Sequence, residues 1–150
     1  MRKSKTNNMK RIVTIIICGF SFGATVQLET AEKVARSIYY ENSELHDGGN
    51  YYVSEIETIK EGDLDLIYIF HLNPEGFIMV PADDQAVPNL AFGFNHLFQS
   101  NNMPGNLAAL MKQYKTELST LIENQGESSS EIVEKWDTYL NGNIQPDRSR

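Results

Sequence analysis

Histidines and paired carboxylates are the residue types in this sequence that could carry acid–base or metal chemistry. His46, His71 and His96 are far apart, and none has a second histidine at the spacing that binds a metal on a helix. We expect His46 to be exposed in a polar loop, His71 to be structural at the end of a strand, and His96 to pack or be solvated. Asp83-Asp84 follows an apolar run without calcium-loop spacing, which favours a turn leaving a strand.

The sequence also offers few candidates for a catalytic nucleophile. The one cysteine, Cys18, lies in an N-terminal apolar run, so the chain beyond it has no thiol nucleophile, disulfide or cysteine metal site. No Gly-x-Ser-x-Gly elbow occurs beyond residue 24, and no His-Glu-x-x-His helix occurs in the chain. We therefore predict a protein that is not an enzyme, with no cofactor and no metal.

Residues 1–24 predict a secretory signal peptide. An apolar run from Ile12 to Phe20 follows a basic segment and precedes small residues. A membrane anchor is the alternative, but the run is too short to span a bilayer. A lipoprotein would need a small residue before Cys18, where Ile17 stands. We expect an exported protein, periplasmic or secreted, with no stable membrane association after the signal is cleaved.

The net charge of the chain without residues 1–24 limits the classes of partner that it could bind. Residues 1–24 hold five of the thirteen basic residues and none of the twenty acidic ones, so their removal leaves a net charge of −12. Such a surface repels phosphate backbones, which argues against a nucleic-acid partner. It argues equally against binding to anionic lipid.

Apolar periodicity predicts one domain over residues 25–142 and a flexible tail over 143–150. A helix with Thr30 as its cap runs to Asn42, and an apolar stripe marks its buried face. A long helix begins at Leu107, and a last helix begins after a capping box at Ser128 and ends at Gly142. The stripe of the first helix consists of Ala31, Val34, Ala35, Ile38 and Tyr39.

Strand signals fill the middle of the chain. They cover Tyr51–Ile59, Leu64–Leu72 and Phe77–Val80, with a shorter fourth strand at Asn89–Phe94. Because the links between them are short, neighbouring strands should be antiparallel. The expected fold class is α+β: about four antiparallel strands with one helix before them and two after them. We expect the helices to cover one face, leaving the other open to solvent or a partner.

Two segments of the sequence are informative together: the first reads GFIMVPADDQAVPNLAF (Gly76–Phe92), and the second reads NLAALMKQY (Asn106–Tyr114). They resemble the prosegment of streptopain-type cysteine proteases, which have the papain fold, and the related stand-alone Spi-type protease inhibitors. Ala91-Phe92 stands where that family usually has Gly-Tyr. Trp136 and its helix resemble the end of the prosegment region. The similarity extends over roughly residues 30–140, and it lies in the order and spacing of the segments.

This resemblance implies an inhibitory domain that lies across the active-site cleft of a streptopain-type protease. In the family, an asparagine before the long helix enters the cleft and disturbs the catalytic histidine, and Asn106 matches that position. The alternative is that Asn106 only caps the helix that follows. Tyr51, Tyr52 and Phe98 could add contacts or pack in the core. The expected inhibitory loop consists of Asn101, Asn102, Met103, Pro104, Gly105, Asn106 and Leu107.

The resemblance leaves three functions open. The chain ends at Arg150, before the cysteine and histidine segments that a protease domain would supply. We therefore expect an exported inhibitor of a streptopain-type cysteine protease. A detached prosegment that helps the protease to fold, and a secreted binding module with another target, are the alternatives.

Overall fold

The computed structural model describes residues 24–46 and 49–142, which form one helix, a sheet and two further helices. This arrangement confirms the predicted α+β fold class. The elements in chain order are α1 (Leu28–Glu41), a 3-10 turn (Ser43–Leu45), β1 (Val53–Glu61), β2 (Leu64–Leu72), β3 (Phe77–Pro81), β4 (Ala91–Gly93), α2 (Gly105–Asn124) and α3 (Ser130–Asn141).

The four strands form an antiparallel sheet in the order in which they occur in the chain. The turn at Gly62-Asp63 joins β1 to β2, and the turn at residues 73–76 joins β2 to β3. Gly76 has a φ of 122°, and a Cβ there would lie 2.8 Å from the Gly93 carbonyl oxygen. The second turn therefore requires glycine, since no other residue adopts this conformation beside β4 without strain.

Both faces of the sheet are covered, so the expectation of one open face is wrong. Tyr68, Phe70 and Leu72 of β2 pack in one cluster with α1 and Trp136 of α3. Ile67 and Ile69 belong to a second cluster with Met111 and Leu118 of α2. The cause is visible in β2, whose apolar side chains follow one another without alternation, as in strands that are buried on both sides.

The buried stripe of α1 is as predicted, but its start is not. Ala31, Val34, Ala35, Ile38 and Tyr39 are all buried. The helix begins at Leu28 with Gln27 at its N-cap, so Thr30 lies inside the first turn rather than capping it. The end at Asn42 agrees with the prediction, and the Asn42 side chain donates to the Ile38 carbonyl oxygen at 2.8 Å.

The two later helices also begin at other residues than predicted. α2 begins at Gly105 rather than Leu107, with Pro104 at its N-cap. α3 is capped by Ser129 rather than Ser128, and the Ser129 hydroxyl oxygen accepts a hydrogen bond from the Ile132 amide at 3.3 Å. The Ser128 hydroxyl instead donates to the Asp84 carbonyl oxygen at 3.2 Å.

The predicted signal peptide and tail lie almost wholly outside the described residues. Residues 1–23 and 143–150 are not described, whereas Ala24 forms hydrogen bonds with Asp84. Within the described part of the chain, none of the helices has the length and hydropathy needed to cross a membrane.

Candidate functional site

The predicted inhibitory loop covers the end of the connection between the sheet and α2 together with the first three residues of α2, and two apolar side chains hold it to the protein. Met103 and Leu107 are half-buried and pack on the cluster that α2 forms with the sheet. The other five members, Asn101, Asn102, Pro104, Gly105 and Asn106, are exposed. The segment is thus anchored at two points and presents polar and small residues to solvent.

Asn106 lies in the first turn of α2, one residue after the helix begins. The cap interpretation is therefore wrong in this structure, because the cap position belongs to Pro104, which has no side-chain hydrogen bond. Within the described part of the chain, the Asn106 amide group donates and accepts no hydrogen bond, and the residue is exposed. Its one donor group and one acceptor group are both available to a partner.

The start of α2 also presents unpaired backbone donors. The first helical hydrogen bond runs from the Ala108 amide to the Pro104 carbonyl oxygen at 2.9 Å. The amides of Gly105, Asn106 and Leu107 therefore have no partner within the helix, and no acidic residue lies in its first turn. These donors favour an acceptor or a negative charge on whatever binds here.

The loop is uncharged in an acidic protein. No Asp, Glu, Lys or Arg occurs between Asn95 and Met111. Lys112 and Lys115 lie further along α2. They line a cavity of about 380 Å³ together with Met103 and Glu61. Sequence reasoning missed these two lysines as neighbours of the loop. The sequence signal that could have pointed to them is the scarcity of basic residues, since only eight remain beyond residue 24.

The three aromatic residues proposed as additional contacts divide into two groups. Tyr51 and Phe98 are 8% and 5% exposed and belong to the core, as the packing interpretation has it. Burial raises the pKa of the Tyr51 hydroxyl far above its usual value. Tyr52 is 61% exposed and lines a cavity of about 310 Å³ with Asn95, which lies between β4 and the predicted loop.

The histidines do not form a catalytic group. The ring of His46 stacks on the ring of Tyr39 with centroids 3.9 Å apart and is half-buried, so the expected exposure is wrong. His71 Nε2 lies 3.4 Å from the Glu57 carboxylate of the neighbouring strand, which fits a structural role. His96 is exposed. No group of three or more His, Cys, Asp or Glu side chains in the described ranges could hold a metal ion.

Asp83 and Asp84 form the turn that leaves β3, as predicted. The Asp83 Oδ1 atom accepts hydrogen bonds from the Gln85 amide at 2.9 Å and from Gln85 Nε2 at 3.1 Å. The carboxylate of Asp84 accepts from the Ala24 amide at 2.7 Å. Both side chains thus serve backbone geometry on the described part of the protein.

Comparison with family models defines the class of protein to which this fold and loop belong. The model described as Spi protease inhibitor matches residues 23–118, which is more than half of the chain. The chain therefore belongs to the Spi protease inhibitor family. The match includes the sheet, the whole predicted loop and most of α2.

Membership of this family supports a role as a protease inhibitor with a protease as partner, and it favours a non-enzyme. The comparisons with curated proteins and with solved structures give no match.

Proposed function

We propose that this protein is an exported inhibitor of a streptopain-type cysteine protease. It occludes the active-site cleft with the loop Asn101–Leu107, and Asn106 is the residue that meets the catalytic pair. The observation that carries this proposal is the state of Asn106. It is exposed, makes no hydrogen bond within the described residues, and is held on the first turn of a 20-residue helix.

The loop suits a cleft because it combines a fixed position with a neutral surface. Met103 and Leu107 anchor it to the core, so little conformational entropy is lost when it binds. Its lack of charge lets it leave water without the penalty that an unpaired buried ion would pay.

The chemistry of the target matches the donors at the start of α2. A cysteine protease holds a thiolate beside an imidazole. The unpaired amides of Gly105, Asn106 and Leu107 favour an anion, and the Asn106 side chain can donate to one group of the pair and accept from the other. Asn106 stabilises the complex by these hydrogen bonds, and the anchored loop excludes substrate.

Protection of the catalytic thiol tests occlusion of the cleft. The exported protein is mixed in excess with a streptopain-type protease, and the rate of alkylation of the protease thiol by iodoacetamide is followed by mass spectrometry. Because the chain has no cysteine beyond residue 18, any thiol that iodoacetamide alkylates in the mixture belongs to the protease. We expect the rate to fall at least tenfold. Binding without protection would contradict cleft occlusion, and absence of binding would contradict the target class.

A further inference from the structure

No cationic side chain of the described residues forms an ion pair with the adjacent carboxylates of Asp83 and Asp84. Asp83 is 4% exposed and Asp84 is half-buried. The ion pairs of the described residues all lie elsewhere, and Gln85 supplies hydrogen bonds but no charge. Burying charged groups without an opposite charge is costly, so this pair calls for a positive partner that the rest of the described chain does not provide.

The backbone nitrogen of Ala24 lies where a positive partner of Asp84 would lie. It donates to Asp84 Oδ1 at 2.7 Å, and the Asp84 amide donates back to the Ala24 carbonyl oxygen at 3.2 Å. A bridge between Thr25 and Asp83, and a hydrogen bond from the Val26 amide to the Ala82 carbonyl oxygen at 2.9 Å, continue the pairing. The first segment of the described chain is therefore fixed with its nitrogen against the carboxylate.

The pKa of Asp84 shows that this one amide does not fully compensate the carboxylate. Burial raises the pKa, the Ala24 amide lowers it, and the neighbouring charge of Asp83 raises it further, with a net upward shift. A full positive charge at the position of the Ala24 nitrogen would remove this imbalance, because an opposite charge at hydrogen-bonding distance favours the ionised carboxylate.

The sequence offers a way to place that charge. Ser21 and Gly23 stand at the third and first positions before the bond between Gly23 and Ala24, which is the small-x-small pattern of a signal cleavage site. Cleavage after Ser21 also has small residues, but it would leave Phe22 and Gly23 ahead of Ala24 and move the amino group away from Asp84. Cleavage after Ala24, the boundary first predicted, would remove the nitrogen that pairs with Asp84.

We propose that a signal peptidase hydrolyses the Gly23–Ala24 bond and that the new α-ammonium group of Ala24 forms a salt bridge with the Asp84 carboxylate. The carbon–nitrogen bond breaks, the oxygen of water completes the Gly23 carboxylate, and both protons of the water end on the released Ala24 nitrogen, which becomes the ammonium. The ammonium keeps the hydrogen bond that the amide makes and adds a charge to it. The cleavage that releases the exported protein thus also creates the charge that pairs with Asp84.

The first test is the N-terminus of the exported protein. The full chain is expressed in a secreting bacterial host, and the exported product is analysed by intact mass and N-terminal sequencing. We expect a product that begins Ala-Thr-Val. A product that begins at Phe22 or at Thr25, or a chain that keeps residues 1–23, would overturn the proposal.

The second test measures the salt bridge itself by NMR titration of the Ala24 amino group in the exported protein. An α-amino group ordinarily titrates near pH 7.7–8.0, and we expect a pKa about one pH unit higher. Besides Asp84, the Asp83 carboxylate and the Ser128 hydroxyl face this region. Asp84→Asn should return the pKa to the ordinary range, whereas the exposed Asp63→Asn, with the same change in charge, should not.

The sign of the linked stability follows from the raised pKa. The salt bridge stabilises the fold fully below the pKa of the unfolded amino group, and this contribution is lost as the pH rises through the folded pKa. An unshifted amino group in the protein that begins at Ala24 would refute the salt bridge even if cleavage occurs as proposed.

Discussion

Asn106 shows what a single residue contributes when its neighbours already hold the backbone. The helix begins one residue before it, and Leu107 packs on the core after it. Its side chain therefore has no structural task within the described part of the protein. This separation of roles predicts that binding and stability respond differently to its removal.

Asn106→Ala should weaken protease inhibition at least tenfold, which corresponds to about 1.4 kcal/mol. It should leave the free energy of unfolding unchanged within about 0.5 kcal/mol, because alanine is the better helix former and no hydrogen bond is lost. The measurements are an inhibition constant and a denaturant titration of the same sample.

Asn124→Ala is the matched control, since Asn124 is an exposed asparagine at the other end of the same helix. It should change neither quantity. If Asn106→Ala destabilises the protein by as much as it weakens inhibition, the residue acts on the fold rather than on the target.

Residue-level prediction succeeded where the sequence neighbourhood decides the outcome. The turn at Asp83-Asp84 is a local feature, and the structure places it as expected. The burial of the His46 ring is not a local feature, because besides Tyr39, which lies seven residues earlier, the ring packs against Phe94 beyond β4. Contacts between segments so distant along the chain leave no pattern in the sequence around the histidine.

At the scale of elements, the positions of helices and strands were predictable and their first residues were not. β2 has the bounds predicted from its apolar run. The start of α2 was missed because Asn106 is a favourable cap residue, whereas the structure uses Pro104 and brings Gly105 into the helix. Glycine disfavours helix by its backbone entropy, and here the packing of Leu107 outweighs that cost.

The cap of α3 gives an element-scale prediction. Ser129→Ala should lower the free energy of unfolding by about 1 kcal/mol, because it removes the acceptor of the Ile132 amide. Thermal unfolding followed by circular dichroism measures the effect. Ser130→Ala, an exposed neighbour inside the helix, should change stability by less than about 0.5 kcal/mol. Equal losses in the two variants would contradict the assignment of Ser129 as the cap.

At the scale of the whole molecule, the sheet is the middle of three layers. Two helices cover one face and α2 covers the other. Strand grouping predicted a sheet with helices but wrongly assigned all the helices to one face, because the faces depend on the path of the connections between the elements. The unbroken apolar run of β2 was the available signal for two buried faces.

Met111→Ala tests whether α2 covers the second face of the sheet, which was predicted to be open. Met111 is 4% exposed between α2 and the sheet, so its truncation should cost about 2–5 kcal/mol in the free energy of unfolding. Leu110→Ala, next to it on the helix and 39% exposed, should cost less than about 1 kcal/mol. Similar small losses in both, measured by urea titration, would mean that α2 does not cover the sheet.

The most direct measurement of the central proposal is a titration of a streptopain-type cysteine protease with the exported protein, following substrate turnover. We predict a linear loss of activity that ends at one inhibitor per protease, with activity recovered on dilution. A serine protease assayed in parallel should keep its full activity, because it has no thiolate for the start of α2 to meet. Full turnover of the cysteine protease at micromolar inhibitor would mean that this protein does not inhibit a streptopain-type protease.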